Sequence, residues 1–331
     1  MKIIKILLIL LIFSSCKNRT EYVRTKIILS EIDNLKSKSE IEKFIQKSDT
    51  NYRSYELKNL QDFDRGFGGD SLNKILANKL NVKINYKKVD FDNNGYTDLL
   101  AIGDNHTCYG EAEKSCSFSP IVIMNYGKNK TKVFNIDLDR GKAIVPKVEF
   151  VDTQPFLVIY QNKLTDWQKK TYSVSKTILT FKFGDFIEYN ANPKSNKITK
   201  IEFETSGCFG TCPVYNLTLN RDSLSTFDAR HYNFNKNREI AYEKQEGVFT
   251  TSINKMEFDK LEEILNYCDF ENLSSEYSVM HTDDQTGNLK VIFNNGKVKT
   301  VHDYGMIGTN GLKILYEKLA ELRFNQKWRK K

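Results

Sequence analysis

Residues 90–98 read Asp-Phe-Asp-Asn-Asn-Gly-Tyr-Thr-Asp. Oxygen-bearing side chains stand at loop positions 1, 3, 5 and 9 (Asp90, Asp92, Asn94, Asp98), and Gly95 at position 6 permits φ > 0. At position 7, Tyr96 offers a backbone carbonyl. Hard oxygens at this spacing let a short loop wrap a calcium ion with six or seven ligands. Position 12 is Ala101, so the bidentate glutamate of an EF-hand is missing. The flanks, residues 84–89 and 99–102, read as strands rather than helices. Calcium is therefore the expected cofactor, bracing the loop. The competing reading is an Asx-rich turn that binds nothing.

The loop resembles the D-x-D-x-[DN]-G-x-x-D loops of FG-GAP and VCBS-type repeat modules. Those modules occur in tandem, whereas residues 90–98 are a single copy. The resemblance thus implies a calcium loop in a β-rich domain, not a full propeller.

Residues 83–190 carry that β-rich domain. Runs at 121–126, 132–138, 148–151, 156–160 and 178–186 are rich in β-branched and aromatic residues. Upstream, residues 16–82 are expected to be a helical spacer. Ile28, Ile32 and Leu35 recur at helical spacing, as do Ile41, Phe44 and Ile45 after a Ser39/Glu42 capping box. Leu72, Ile75, Leu76 and Leu80 form a third stretch, with Asp70 or Ser71 as N-cap. Cys108 and Cys116 flank a polar loop and are expected to form a disulfide; a metal site adding His106 lacks a fourth ligand.

A polar stretch containing Pro193, residues 191–197, reads as a linker into a second domain at 198–326. Cys208 and Cys212 open that domain, between alternating runs Ile201, Phe203, Thr205 and Tyr215, Leu217, Leu219. Gly207 and Gly210 allow a tight turn. A small structural disulfide is the first reading, worth about 2 kcal/mol in the chain-entropy model. A thiol or soft-metal (copper or zinc) site is the alternative. Phe258, Leu261, Leu265 and Cys268 share one helical face, and Cys268 is the odd cysteine, so its pairing with Cys208 or Cys212 stays open. Further strands are expected at 226–232 and 240–253. A hairpin with Asn295-Gly296 as a two-residue turn places Phe293 opposite Val298 and Leu289 opposite His302, which points His302 to the apolar face. Leu312, Leu315, Leu319 and Leu322 mark a final helix capped by Thr309 or Asn310. Residues 327–331 are a basic tail.

Cys208, Phe209, Gly210, Cys212, Pro213 and Tyr215 also spell C-F-G-x-C-P-x-Y. The stretch from 198 to 324 resembles an uncharacterised C-terminal domain of Gram-negative lipoproteins marked by this motif. That resemblance implies a domain boundary and a habitat, but no activity.

The N-terminus agrees with such a habitat. Lys2 and Lys5 precede an apolar run at residues 6–13, then Ser14, Ser15 and Cys16. This pattern is that of a secretory signal at residues 1–15, and it resembles a bacterial lipobox with Cys16 as the lipidated residue. The chain has 331 residues and net charge +8; without residues 1–15 it has 331 − 15 = 316, and 8 − 2 = +6. The expected location is the cell envelope, as an outer-membrane lipoprotein facing the periplasm. Its expected partners are the membrane, through the lipid, and an envelope protein or glycan, not nucleic acid.

No Walker loop, Rossmann fingerprint, G-x-S-x-G elbow or H-E-x-x-H helix occurs, so no organic cofactor is expected. The polar set His281, Thr282, Asp283, Asp284, His302 and Asp303 holds the residue types for zinc or acid–base chemistry and supports a hydrolase alternative. The competing reading is a capped loop and a core histidine. The expectation is an α+β chain: a helical spacer, a β-rich calcium-loop domain, and a smaller antiparallel-sheet domain with two helices. Its first functional reading is a non-enzymatic binding or structural module.

Overall fold

Strands made almost wholly of apolar residues need cover on both faces. Residues 98–101 and 121–125 are such strands, and the first half of the chain is built to cover them. The structure, a computed structural model, describes residues 25–63, 68–105, 118–136, 144–166, 168, 171–233, 246–280 and 282–331. In chain order, α1 (Glu31–Asn34) and α2 (Lys38–Ser48) lead to β1 (Glu56–Leu57) and α3 (Gly68–Lys79). Then come β2 (Tyr86–Val89), β3 (Asp98–Ala101), β4 (Gly103–Asp104), β5 (Ile121–Asn125) and β6 (Thr131–Asn135). A meander follows: β7 (Ile144–Val151), β8 (Gln154–Asp166), β9 (Thr171–Lys182) and β10 (Asp185–Glu188). The second half holds β11 (Ile198–Thr205), β12 (Val214–Asn220), β13 (Ser225–His231), β14 (Gly247–Thr251) and α4 (Lys255–Tyr267). It ends with β15 (Glu276–Ser278), β16 (Thr286–Phe293), β17 (Lys297–Tyr304), α5 (Asn310–Asn325) and β18 (Arg329–Lys330). The chain is thus α+β, with mostly antiparallel sheets.

The sheet β2-β3-β5-β6 is the middle of three layers. On one face Leu99, Ala101, Ile121 and Ile123 pack against Ile32, Ile41 and Ile45 of α1 and α2. On the other, Leu100, Val122, Met124 and Phe134 meet Val145, Leu157, Ile159 and Leu179 of the sheet β10-β9-β8-β7, with Leu76 and Ala77 of α3 between them. Successive residues of β3 therefore point into two different cores. The expected spacer is accordingly corrected: α1, α2 and α3 are structural layers of the first domain. Helix α2 starts one turn fraction earlier than the spacing predicts. Its capping box is Ser37 with Glu40, whose side chain accepts the Ser37 N–H at 2.8 Å, not Ser39 with Glu42. Helix α3 likewise begins at Gly68, ahead of Asp70.

The second domain is an eight-stranded sheet, β15-β17-β16-β11-β12-β13-β14-β18, with α4 and α5 on one face. Clean alternation in β11, β12 and β16 buries Phe203, Tyr215, Leu217, Leu289 and Val291 under Leu261, Leu315 and Leu319. The β16–β17 hairpin corrects the expected register. Asn294, Asn295 and Gly296 all take positive φ and make a three-residue loop, so Phe293 pairs with Lys297 and Leu289 with Val301. That one-residue shift turns His302 onto the exposed face beside Asn288 and puts Val301 and Asp303 inside.

Strand β10 joins the halves. Phe186 belongs to the first core and Ile187 to the second. Glu188 accepts the N–H groups of Asn310 (2.7 Å) and Gly311 (3.0 Å), capping α5 from the other domain, while the Thr309 hydroxyl accepts the Leu312 N–H. The expected linker is pinned as well: Asn190 donates to Tyr267 O and the Asn196 N–H to the Asn266 side chain.

Cys268, a free thiol at the end of α4, lies against the first turn of α5. A Cβ on Gly311 would overlap its Sγ. Gly311→Ala should destabilise the chain by about 1–3 kcal/mol in chemical denaturation. In a Cys268→Ala background the same change should become neutral or stabilising, because alanine is the better helix former.

Candidate functional site

The loop at 90–98 connects β2 to β3 and is held by its own side chains. Val89 pairs with Asp98, so the loop closes where the two strands begin. Phe91 anchors it in the core, edge-on to Phe186 at 5.3 Å. Asn93 (φ 56°) and Gly95 (φ 88°) take the left-handed turns that curl it. Asp90 accepts the N–H groups of Asn94 (3.1 Å) and Gly95 (2.9 Å), and Asp92 accepts that of Asn94 at 3.3 Å. Asp98 is fully buried and accepts N–H bonds from Phe91 (2.8 Å) and Asn125 (2.7 Å).

One carboxylate oxygen each from Asp90, Asp92 and Asp98 lies within 4.8 Å of the others. Among the described residues this is the single group of three or more histidine, cysteine or acidic side chains that close, and no ion pair reaches any of the three. Burial, helped by the Asp90 charge, pushes the Asp92 carboxyl up to about 6. Burial also pushes Asp98 up to about 8, against the two N–H bonds that favour its charge. Three hard carboxylates converging without a countercharge fit a divalent cation such as calcium. Asn94 fits less directly. Its amide nitrogen donates to Asp92 (3.1 Å) and to Asn125 O (2.9 Å), while its oxygen accepts the Tyr96 N–H at 2.7 Å. The amide must turn to present oxygen to an ion. The Tyr96 ring covers Gly127, where no Cβ would fit.

Sequence reasoning missed what surrounds the loop. The segment just after residue 24 crosses it: Thr25 donates from its N–H and its hydroxyl to Asn93, and the Ile28 N–H donates to Gly95 O at 2.7 Å. Thr97 donates to Asp33 of α1 at 2.6 Å, and Lys88 donates to the carbonyls of Asp33 and Leu35 at the end of that helix. Asn125, on β5, bonds Thr97 O and takes part through its N–H in holding Asp98. These are contacts between residues up to 68 apart, with no local signal.

Cys208 and Cys212 stand at disulfide distance, Cα atoms 5.6 Å apart, with Gly210 at φ 138°. Cys268 is not their partner. The turn exposes 90 % of Phe209, whose N–H donates to Asp283 O at 2.8 Å. Thr205 accepts the Tyr215 N–H and donates to Pro213 O, which also accepts from Gln285. The members of the His/Asp set that are described do not converge. His302 bonds Asn288 on the exposed sheet face, whereas Asp303 is buried on the opposite face and accepts the N–H groups of Ile307 and Gly308. Asp283 and Asp284 lie in the loop that meets Phe209. Cys16, His106, Cys108, Cys116 and His281 lie outside the described residues, as do part of the strand expected at 240–253 and residues 137–138 of the run at 132–138.

Residues 199–323 match the model of a domain of unknown function (DUF6438). A DUF6438 domain therefore makes up the sheet and helix layers from β11 to α5. No curated protein matches the chain, and no solved structure does. No helix among the described residues is long and apolar enough to cross a membrane.

The raised carboxyls of Asp92 and Asp98 have a consequence for the metal-free chain. Folded, they keep protons that an unfolded aspartate releases near pH ~3.9. Their contribution is thus fully present in acid and is lost as pH rises through about 6 and then about 8. Thermal melting in chelator should give a lower midpoint at pH 8 than at pH 5, and Asp98→Asn should shrink that difference.

Proposed function

We propose that the chain is a non-catalytic, lipid-anchored envelope module whose first domain is braced by one calcium ion. The observation that carries the calcium reading is the convergence of Asp90, Asp92 and Asp98 without a basic partner among the described residues. Bound calcium would offset the repulsion and burial that otherwise keep protons on Asp92 and Asp98. Those two residues and Asp90 would supply carboxylate oxygens. Asn94 and Tyr96 complete the set by their spacing, as in the FG-GAP and VCBS-type loops that the stretch resembles. The ion's role is mechanical: it ties the β2–β3 connection to Asn125 and to the segment at 25–28 that crosses it.

Lipid at Cys16 would place the anchor nine residues ahead of Thr25, where that crossing segment begins. Load from the membrane would then enter the fold at the braced loop. Metabolic labelling with palmitate should mark the chain and should fail for Cys16→Ala.

Calcium titration tests the brace. At free calcium tenfold above Kd the ion should add about 1.4 kcal/mol, read as a rise of roughly 2–5 °C in Tm. For Kd of ~10⁻³ M, as in weak extracellular modules, that means about 10 mM calcium. Asp92→Asn and Asp98→Asn should each abolish the rise. An unchanged Tm for the wild-type chain in 10 mM calcium, compared with chelator, would sink the reading.

A further inference from the structure

Beside the cysteine turn lies a hollow of about 510 Å³, inside the usual size range of small-ligand sites. Its floor is the end of the second sheet: Thr205, Tyr215 and Gln285. One wall is the turn itself, through Thr211 and Pro213. The opposite wall is a stripe of α5 at helical spacing, Lys313, Tyr316, Ala320 and Arg323, with Glu317 and Phe324 beside it. The hollow exists because Ala320 is small where its neighbours on the stripe are large. It is not part of the calcium loop and does not depend on an ion there.

The turn wall is fixed before any ligand arrives. The Cys208–Cys212 pair closes it. Gln285 donates to Ser206 O (3.0 Å) and Pro213 O (2.8 Å), and Thr205 donates to Pro213 O. Such preorganisation lowers the ordering cost of binding. The floor carries polar groups with capacity to spare. Tyr215 is only 2 % exposed, yet its hydroxyl has no hydrogen-bond partner among the described residues. A buried phenol normally has one. Gln285 spends its amide nitrogen on the turn and leaves its carbonyl oxygen unengaged among the described residues. At the mouth, Lys313 and Glu317 offer opposite charges, and neither forms an ion pair among the described residues. Tyr232, Met306 and Phe324 add aromatic and apolar surface.

Donors and acceptors are therefore mixed; Lys313 and Glu317 oppose each other at the mouth, and the third charge of the lining, Arg323, is buried and donates to Ala320 O and the Asn233 side chain. A compact anion would meet Glu317, and a purely apolar ligand would leave the Tyr215 hydroxyl unsatisfied. A sugar ring meets both demands, since each hydroxyl donates and accepts while the C–H faces pack on aromatic rings. We infer that this hollow is a saccharide-binding site, formed where the Cys208–Cys212 turn faces the Ala320 stripe of α5, with Tyr215 and Gln285 contacting ring hydroxyls. The volume accommodates about one or two pyranose rings.

Saturation-transfer NMR on the full chain tests this, with methyl β-glucoside, N-acetylglucosamine, maltose and chitobiose as probes. At least one should show transfer to its ring protons, in chelator as well as in calcium. Ala320→Trp fills the hollow and should remove the signal, with affinity down at least tenfold. Tyr215→Phe should weaken binding about fivefold, the loss of one hydrogen bond. Tyr232→Ala, at the exposed rim, should weaken it while leaving the fold unchanged by circular dichroism. If none of the four probes gives transfer, or if transfer survives both Ala320→Trp and Tyr215→Phe in folded protein, the assignment is wrong. Capture of an apolar peptide in the hollow, competing with no sugar, overturns it equally.

Discussion

An ionisable group enclosed without a basic partner has to be satisfied by something, and among the described residues Asp98 is such a group, at the head of the central strand β3. Both of its oxygens are taken by backbone N–H groups, one from the loop at Phe91 and one from the neighbouring strand at Asn125. That pair of bonds sets where β2 ends, where β5 stops pairing and how tightly residues 90–98 must curl. The curl in turn brings Asp90 and Asp92 against Asp98. Gly95 then has to lack a Cβ, because Lys26 O and the Thr25 methyl lie at 3.0 and 3.1 Å from where it would be. The crossing segment, the loop and the middle sheet form one mechanical unit that radiates from a single carboxylate.

The second constraint is the sharing of β10 between two cores. Successive side chains of a strand point to opposite faces, so Phe186 and Ile187 serve different domains without any hinge between them. Glu188 continues this by capping α5. The polar residues that follow look free in the sequence, but Asn190 and Asn196 bond the end of α4. A composition typical of a linker here serves as a set of side-chain caps. The DUF6438 domain is therefore docked on the β-rich half by hydrogen bonds as well as by apolar contact.

What the sequence disclosed follows the physics of each signal. Period-two alternation in β11, β12 and β16 reports one buried face and was readable, as was the Leu312 stripe of α5. The acid loop was readable because its residues are close in sequence. The helices at 31–48 show helical spacing in the sequence but not that they form a layer, because alternation is lost when β3 and β5 are buried on both faces and nothing then announces the second cover. His302 was misplaced by a single residue: Asn295-Gly296 suggests a two-residue turn, and Asn294 joined it by taking φ 39°. The crossing segment at 25–28 and the hollow at Ala320 depend on long-range placement, for which one sequence carries no local mark.

The cysteine turn illustrates how a weak constraint can still matter. Closing five residues adds only about 2 kcal/mol in the chain-entropy model, too little to hold an eight-stranded sheet. The flanking strands do not need it, since Thr205 and Gln285 already fasten Pro213 and Ser206. What lies inside the bridge is the short arc of Phe209, Gly210 and Thr211. Of its backbone, the Phe209 N–H reaches Asp283, and Gly210 sits at a φ that only glycine takes easily. Without the covalent closure that arc would have, among the described residues, a single backbone hydrogen bond to set its course. The bridge thus acts on the arc alone, and the arc supplies part of one wall of the hollow, through Thr211, and carries the exposed ring of Phe209. A disulfide spent on so small a loop is better explained by the shape of that wall than by the stability of the domain.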